Sequence, residues 1–285
     1  MKKIKIADNF DKNADVVIYH GDCSDLLDSM WTTMKKPFVQ LVVTSPPYNV
    51  GKEYETRIAL EDYIKKHSDV ISKCYQVLSD KGSICWEVGN YVNNGEVVPI
   101  DILMWHYFSN ELKMKLRNRI IWHVPHGLHC KNRFSGRYET ILWFTKTDNY
   151  YFNFESVRVP VMWPKKKYYK GPKKGQYSSN PNGKNPSDVW DITNVKHNHP
   201  EKTEHPCQFL EELVRRLVLS LTKPGDWVLD PYLGSGTTAA VCVELGRKVI
   251  GAELKKKYLN FATDRVQKKI VLLENASKQK KLSSV

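Results

Sequence analysis

The chain of 285 residues has no run of apolar residues close to the roughly 20 that a membrane-spanning helix needs, so no membrane segment is expected. Residues 1–10 carry lysines but no apolar stretch behind them, which gives no sign of a secretory signal. The six cysteines, Cys23, Cys74, Cys85, Cys130, Cys207 and Cys242, include no CxxC pair. Three sit inside apolar runs, where a thiol behaves as a small hydrophobe. This is the usage of reduced thiols rather than of a disulfide framework, and a cytoplasmic location is expected. His197, His199, His205 and Cys207 are crowded, but their spacing fits no finger pattern and no metal is expected. There is no internal repeat. Acid is in short supply: 31 Asp and Glu face 44 Lys and Arg, a formal charge of +13. A basic excess of this size favours a polyanionic partner through long-range attraction.

What is present is a foldable core. Hydrophobic residues make up 41% of the chain, enough for one large α/β domain with a small inserted region. Short Val- and Ile-rich runs bounded by polar or turn residues mark buried parallel strands at 16–19, 39–44, 83–88, 119–123, 140–145, 227–230 and 248–251. Helical spacing of apolar residues marks 60–78, ending in a turn at Ser79-Asp80-Lys81-Gly82, and 208–221, with a further helical stretch over 239–245. Alternating strands and helices predict a doubly wound, Rossmann-like, mostly parallel sheet with ligands at the carboxyl ends of its strands. Residues 148–200 break the rhythm with Pro, Gly, Asn, Lys and Tyr, and read as a loop-rich insertion. The expected organisation is therefore 1–147, the insertion 148–200, 201–275, and a basic tail 276–285 that frays.

Two motifs carry chemistry. In the first, a buried strand ends in Thr44-Ser45-Pro46-Pro47-Tyr48-Asn49. Successive prolines fix φ twice and remove two N–H donors, leaving carbonyl oxygens to face outward. With the Ser45 hydroxyl and the flat face of Tyr48, such a turn can hold a planar group bearing hydrogen-bond donors. A base amine is such a group. The second motif is Asp230-Pro231-Tyr232-Leu233-Gly234-Ser235-Gly236-Thr237-Thr238, followed by a helix and then by a strand ending at Glu253. Glycines let backbone approach a ligand closely, and an acid at the end of the next strand suits a ribose hydroxyl. The pattern is neither GxGxxG nor a Walker loop, so no pyrophosphate cradle is indicated. Asp230 can pair instead with a cationic amino group. S-adenosyl-L-methionine, a nucleoside carrying an amino acid, fits these features.

Together the two motifs resemble those of the amino-methyltransferases of DNA, the N4-cytosine and N6-adenine family, and their order resembles its permuted beta class. The resemblance covers nearly the whole chain apart from the insertion. It implies a class I S-adenosyl-L-methionine-dependent fold and a catalytic turn of Ser45, Pro46, Pro47 and Tyr48. Gly21-Asp22-Cys23 looks like the region of the family that contacts adenine. Glu204-His205-Pro206 looks like the motif supporting the methionine end. Asp22, Cys23, His205, Pro206, Asp230, Tyr232, Gly234, Ser235, Gly236, Thr237, Thr238 and Glu253 are then the expected cofactor residues. The segment from Arg133-Phe134 to Lys146 looks like the one that precedes target recognition in the family. Ser45 in a Thr-Ser-Pro-Pro-Tyr setting is typical of cytosine-amine enzymes, while some adenine-amine enzymes share it with Asn49. The implied reaction is methylation of the exocyclic N4 of a flipped cytosine in duplex DNA, with adenine N6 as the alternative and an RNA or protein-glutamine methyltransferase, or an inactive DNA-binding module, as further ones. A cognate restriction endonuclease is the implied functional partner, and the protein itself is expected to be a monomer or homodimer. The insertion is the candidate for DNA contact, through Lys165, Lys166, Lys167, Tyr168, Lys170, Lys173 and Lys174, because lysines neutralise phosphates.

Overall fold

A computed structural model describes residues 3–282 apart from Tyr54, His126, Leu128, Asn194 and 196–198. His197 of the crowded histidines thus lies outside the described residues. The elements run β1 (Ile6–Ala7), β2 (Val16–His20), α1 (Cys23–Met34), β3 (Val39–Thr44), α2 (Leu60–Val77), β4 (Leu78–Val88), β5 (Tyr91–Asn93), β6 (Glu96–Val98), α3 (Ile100–His106), β7 (Lys115–His123), β8 (Tyr138–Thr145), β9 (Val189–Asp191), α4 (Glu211–Leu221), β10 (Trp227–Asp230), α5 (Thr237–Glu244), β11 (Lys248–Glu253) and α6 (Lys256–Leu282). Among the described residues no helix is long and apolar enough to cross a membrane.

Among the described residues nine strands form one sheet in the order β1-β2-β11-β10-β3-β4-β8-β7-β9, and β5 and β6 form a separate hairpin. Apolar residues alternate between its faces, as the pleat requires. In β3, Val42 enters one core and Leu41 and Val43 the other, and Val39 joins the first because the register shifts between Val39 and Leu41. The first core is closed by α1, α2 and α3, with Leu27, Ile71 and Met104 among its members. The second is closed by α4, α5 and α6, with Leu213, Val241 and Val266. Burial on both faces explains why the strands are short continuous apolar runs. On the second face Glu211 accepts from Arg265 (2.9 Å) and Lys269 (2.8 Å), which bolts α6 to α4.

The sheet is mostly parallel, as expected, and the pairing corrects one of the runs read as a parallel strand. Residues 140–145 lie in β8, which runs antiparallel to both β4 and β7. A strand buried on both faces reads the same whichever way its neighbours run. The turn expected at Ser79-Asp80-Lys81-Gly82 is a register shift inside β4 where it pairs with β3. The tail expected to fray continues α6 as far as Leu282. Its Lys, Gln, Ser and Ala residues are compatible with helix, and no Gly or Pro stops it. The insertion is mostly irregular, with one 3₁₀ turn at Phe154–Val157, but its β9 joins the edge of the main sheet beside β7.

The chain leaves β10 for β11 on one side, whereas β3 connects to β4 on the other. The crevice between the carboxyl ends of β10 and β3 is thus the switch point where an open α/β sheet binds ligands.

Candidate active site

At the end of β3 the chain turns through both prolines and reaches Asn49 with φ 61. The Asn49 side chain is buried, and it donates to the Ile58 carbonyl and accepts from the Ile58 N–H, each at 2.8 Å. This ties Ile58 back to the turn, and Asn49 itself lines the cavity described below. Tyr63 of α2 donates to the Pro47 carbonyl at 2.9 Å. Among the described residues no hydrogen bond of the chain reaches the Pro46 carbonyl. The Ser45 Oγ and Tyr48 hydroxyl lie 3.0 Å apart, and Tyr48 donates to the Glu87 carboxylate. A phenol has one proton to give, so with that proton on Glu87 the Tyr48 oxygen accepts from Ser45. The Ser45 hydrogen then points at Tyr48, and its lone pairs are left for the cavity. Gly89 lies behind the Tyr48 ring so closely that a Cβ there would stand 2.9 Å from two ring carbons.

At the end of β10, Asp230 is 3% exposed. It accepts from Thr44 and Thr238, each at 2.6 Å, and from the Tyr232 N–H at 3.2 Å. Burial nevertheless pushes its carboxyl up to about 6. The glycine turn follows. Gly236 has φ 78, and a Cβ there would lie 2.5 Å from the Ala262 Cα of α6, so only glycine fits. The Gly234 N–H donates to Glu253 at 3.0 Å. Arg265 holds the far side of the turn by donating to Thr237 Oγ1 (2.7 Å) and Ser235 Oγ (3.2 Å). At the start of α1, Asp22 caps the helix by accepting from the Ser24 N–H at 2.8 Å.

These pieces line one cavity of about 460 Å³. Of the expected turn and cofactor residues, all line it except Pro206 and Gly236. His205 packs edge-on against Tyr258, and burial lowers its imidazole to about 4. Burial raises the Cys23 thiol to about 12, so it stays protonated and inert. Asp22, Asp230 and Glu253 share one half of the cavity, and none is ion-paired with Lys, Arg or His among the described residues. The buried Tyr232 hydroxyl there also has no partner. A cationic ligand would answer the three carboxylates. Among the described residues no His, Cys, Asp and Glu cluster suits a metal ion.

The insertion lysines stand apart. Lys165, Lys166, Lys167, Lys170, Lys173 and Lys174 are exposed with Tyr168 on a hairpin bridged by Lys167 and Tyr177, and none lines the cavity. Near the root of the insertion, the Asn153 N–H donates to the Ser220 carbonyl at 2.7 Å and Ser156 Oγ to the Leu219 carbonyl at 3.0 Å. That anchorage is at the end of α4 leading into β10, whereas the cavity opens where β10 ends.

Sequence reasoning missed Tyr63, Glu87, Gly89 and Glu139. Glu87 had left a signal, since a charge inside the apolar run 83–88 is rarely buried without a task.

The model of a DNA methylase family, N6_N4_Mtase, matches residues 39–264. Among curated proteins, the chain is similar to the type II methyltransferase M.BglII of Bacillus subtilis, with 49% identity over 86% of this chain and 67% of that one. It is also similar to the DNA adenine methyltransferase YhdJ of Escherichia coli, with 32% identity over 87% of this chain and 82% of that one. Among solved structures it is similar to a DNA modification methylase of Thermus thermophilus, TTHA0409, in complex with S-adenosyl-L-methionine. That match has a TM-score of 0.60 and 26% identity, over 89% of this chain and 93% of that one.

Proposed function

The chain belongs to the N6/N4 DNA methylase family, and within it we propose that this protein transfers the methyl group of S-adenosyl-L-methionine to the exocyclic N4 of cytosine flipped out of duplex DNA. S-adenosyl-L-methionine is the methyl donor, and the carboxylate-lined half of the cavity fits it. When bound, it supplies an electrophilic methyl carbon on a sulfonium. Asp230 would hold its ammonium group, Glu253 the ribose hydroxyls, and Asp22 and Cys23 the adenine. Tyr232, Gly234, Ser235, Gly236, Thr237 and Thr238 shape the wall, with His205 and Pro206 behind.

The observation that carries the reading is the pair of free acceptors, Ser45 Oγ and the Pro46 carbonyl, at the mouth of the crevice. A base amine is a poor nucleophile because its lone pair is delocalised into the ring. Ser45 and Pro46 accept its two hydrogens and draw the nitrogen towards a tetrahedral shape, which frees the lone pair for in-line attack. These hydrogen bonds strengthen as positive charge develops on nitrogen, so they favour the transition state over the ground state. Tyr48, with Gly89 behind one face, stacks its other face on the base. Extrusion of the base costs a few kcal/mol, which stacking and these contacts partly offset. The insertion lysines and Tyr168 bind the DNA backbone, and a cognate restriction endonuclease recognises the same site, in keeping with the type II relative.

Adenine N6 is the second reading, favoured by the likeness to the adenine methyltransferase of Escherichia coli. It keeps the same turn and the same chemistry. Ser45→Ala removes one acceptor and should lower single-turnover methyl transfer by about 100-fold. Near-wild-type rates for both Ser45→Ala and Tyr48→Ala would overturn the reading.

A further inference from the structure

Behind Tyr48 lie two carboxyl groups that do not touch the base. Glu87 stands near the end of β4, and Glu139 near the start of β8. The strands are antiparallel neighbours with Val88 opposite Thr140, so both carboxyls arrive at the same end of the sheet. Glu87 is 1% exposed. Its Oε2 accepts from Tyr48, while its Oε1 is buried and meets no donor. Glu139 stands two residues before Ile141, the cross-strand partner of Glu87, so the two side chains leave the same face of the sheet as diagonal neighbours, and each carboxyl acts on the other.

No Lys, Arg or His forms an ion pair with either glutamate among the described residues. The other groups facing the pair are Ser45 and Tyr48 from the turn after β3, and Tyr63 from α2, which itself feels Glu87 and Glu55. None is a cation. A buried carboxylate and a half-buried one held side by side without a counter-ion repel each other strongly, and such pairs hold a proton between them. One proton between Glu87 and Glu139 also gives Glu87 Oε1 the donor it lacks.

We propose that Glu87 and Glu139 share one proton, and that the singly charged pair fixes the direction of the chain Ser45 to Tyr48 to Glu87, so that Ser45 meets the target amine as an acceptor. This rests on the role given to Ser45 above. With its proton committed to Glu139, the pair presents Tyr48 only with acceptor oxygen. Tyr48 must donate to it and must therefore accept from Ser45. A second proton on the pair would let a carboxyl O–H donate to Tyr48, turning the Tyr48 proton onto Ser45 and occupying a lone pair. Loss of the shared proton would set two charges side by side and open the cluster. Burial raises both carboxyls above their ordinary range, in keeping with this. Both glutamates are positioning residues.

The test uses the full-length protein with Glu139→Gln and Glu139→Ala. The side-chain amide introduced by Glu139→Gln would offer Glu87 a permanent N–H donor in place of the shared proton. Glu139→Ala should slow single-turnover methyl transfer by roughly tenfold or more, the size expected on losing a hydrogen bond to a charged group. Glu139→Gln should recover most of that loss. The wild-type rate should fall on the alkaline side as the shared proton leaves, and Glu139→Gln should lack this fall. Thermal unfolding reads the proton without DNA. A carboxyl whose folded pKa lies above its unfolded value binds more protons folded than unfolded, so stability is lost as pH rises through that window. Wild type should show this loss above the ordinary carboxylate range, and Glu139→Gln should show less of it. Superimposable pH dependence of unfolding in the two proteins, or a Gln variant no better than the Ala variant, would overturn the shared proton. If Ser45→Ala were fully active, the role of Ser45 would fail, while the unfolding data would still report on the proton.

Discussion

Thr44 donates its hydroxyl to Asp230 at 2.6 Å, although 186 positions separate them in the chain. The bond joins the carboxyl ends of β3 and β10, so the proline turn and the glycine turn share a wall. A base held by Ser45 and a methyl donor held beside Asp230 would meet across that wall, which is the proximity that an in-line transfer needs.

Asp230 should make cofactor binding depend on pH. Its carboxyl is pushed up to about 6 by burial, so it is charged above that value and neutral below it. Affinity for S-adenosyl-L-methionine, read by titration calorimetry, should weaken as pH falls through about 6. Stability should move the other way, because a raised carboxyl pKa means that folding loses stability as pH rises from the ordinary carboxylate range to the folded value. Asp230→Asn should bind weakly, flatten the affinity across this range and lessen the loss of stability, the share due to Glu87 and Glu139 remaining. An affinity that is flat across this range would contradict a charged contact.

Gly89 should matter through Tyr48. A Cβ at Gly89 would stand 2.9 Å from two carbons of the Tyr48 ring, and the ring, its hydroxyl held by Glu87, must tilt. A shift approaching 1 Å in a positioning group can cost up to about 100-fold in rate. Gly89→Ala should therefore slow single-turnover transfer by about 10- to 100-fold and leave cofactor affinity intact. Unchanged turnover would mean that Tyr48 does not stack on the base.

The hairpin lysines are tested by salt. If Lys165, Lys166 and Lys167 each neutralise a phosphate, replacing all three with Ala should reduce the slope of log affinity against log salt by roughly 2 to 3. Binding would weaken on every sequence alike, since phosphate contacts position without reading bases. An unchanged slope would make the lysines idle, the outcome expected if a hairpin rooted at the end of α4 stays clear of DNA bound at the cavity.

The candidate site was legible where its residues are consecutive. Ser45 to Tyr48 and Asp230 to Thr238 each follow a strand as one unbroken motif, so the turn and its ligand class could be read together. Residues that matter through pairing were not legible. Glu139 reaches Tyr48 only because β8 runs antiparallel beside β4, and an apolar run does not encode the direction of its neighbours. Tyr63 looked like one more apolar position in α2, yet its hydroxyl caps the Pro47 carbonyl. Helix α1 was passed over because its polar residues 24, 25, 28 and 29 dilute the periodicity, although Asp22 is a cap in plain view. In each case the information lies in contacts between elements rather than within one.

The central claim is that the cavity methylates the amine of a flipped cytosine. Incubation with labelled S-adenosyl-L-methionine and duplex DNA of mixed sequence, digestion to nucleosides and mass spectrometry test it directly. The predicted label is on N4-methylcytosine. Label on N6-methyladenine would keep the turn and contradict the choice of base. Failure to label DNA at all, with protein that binds the methyl donor, would contradict the account as a whole.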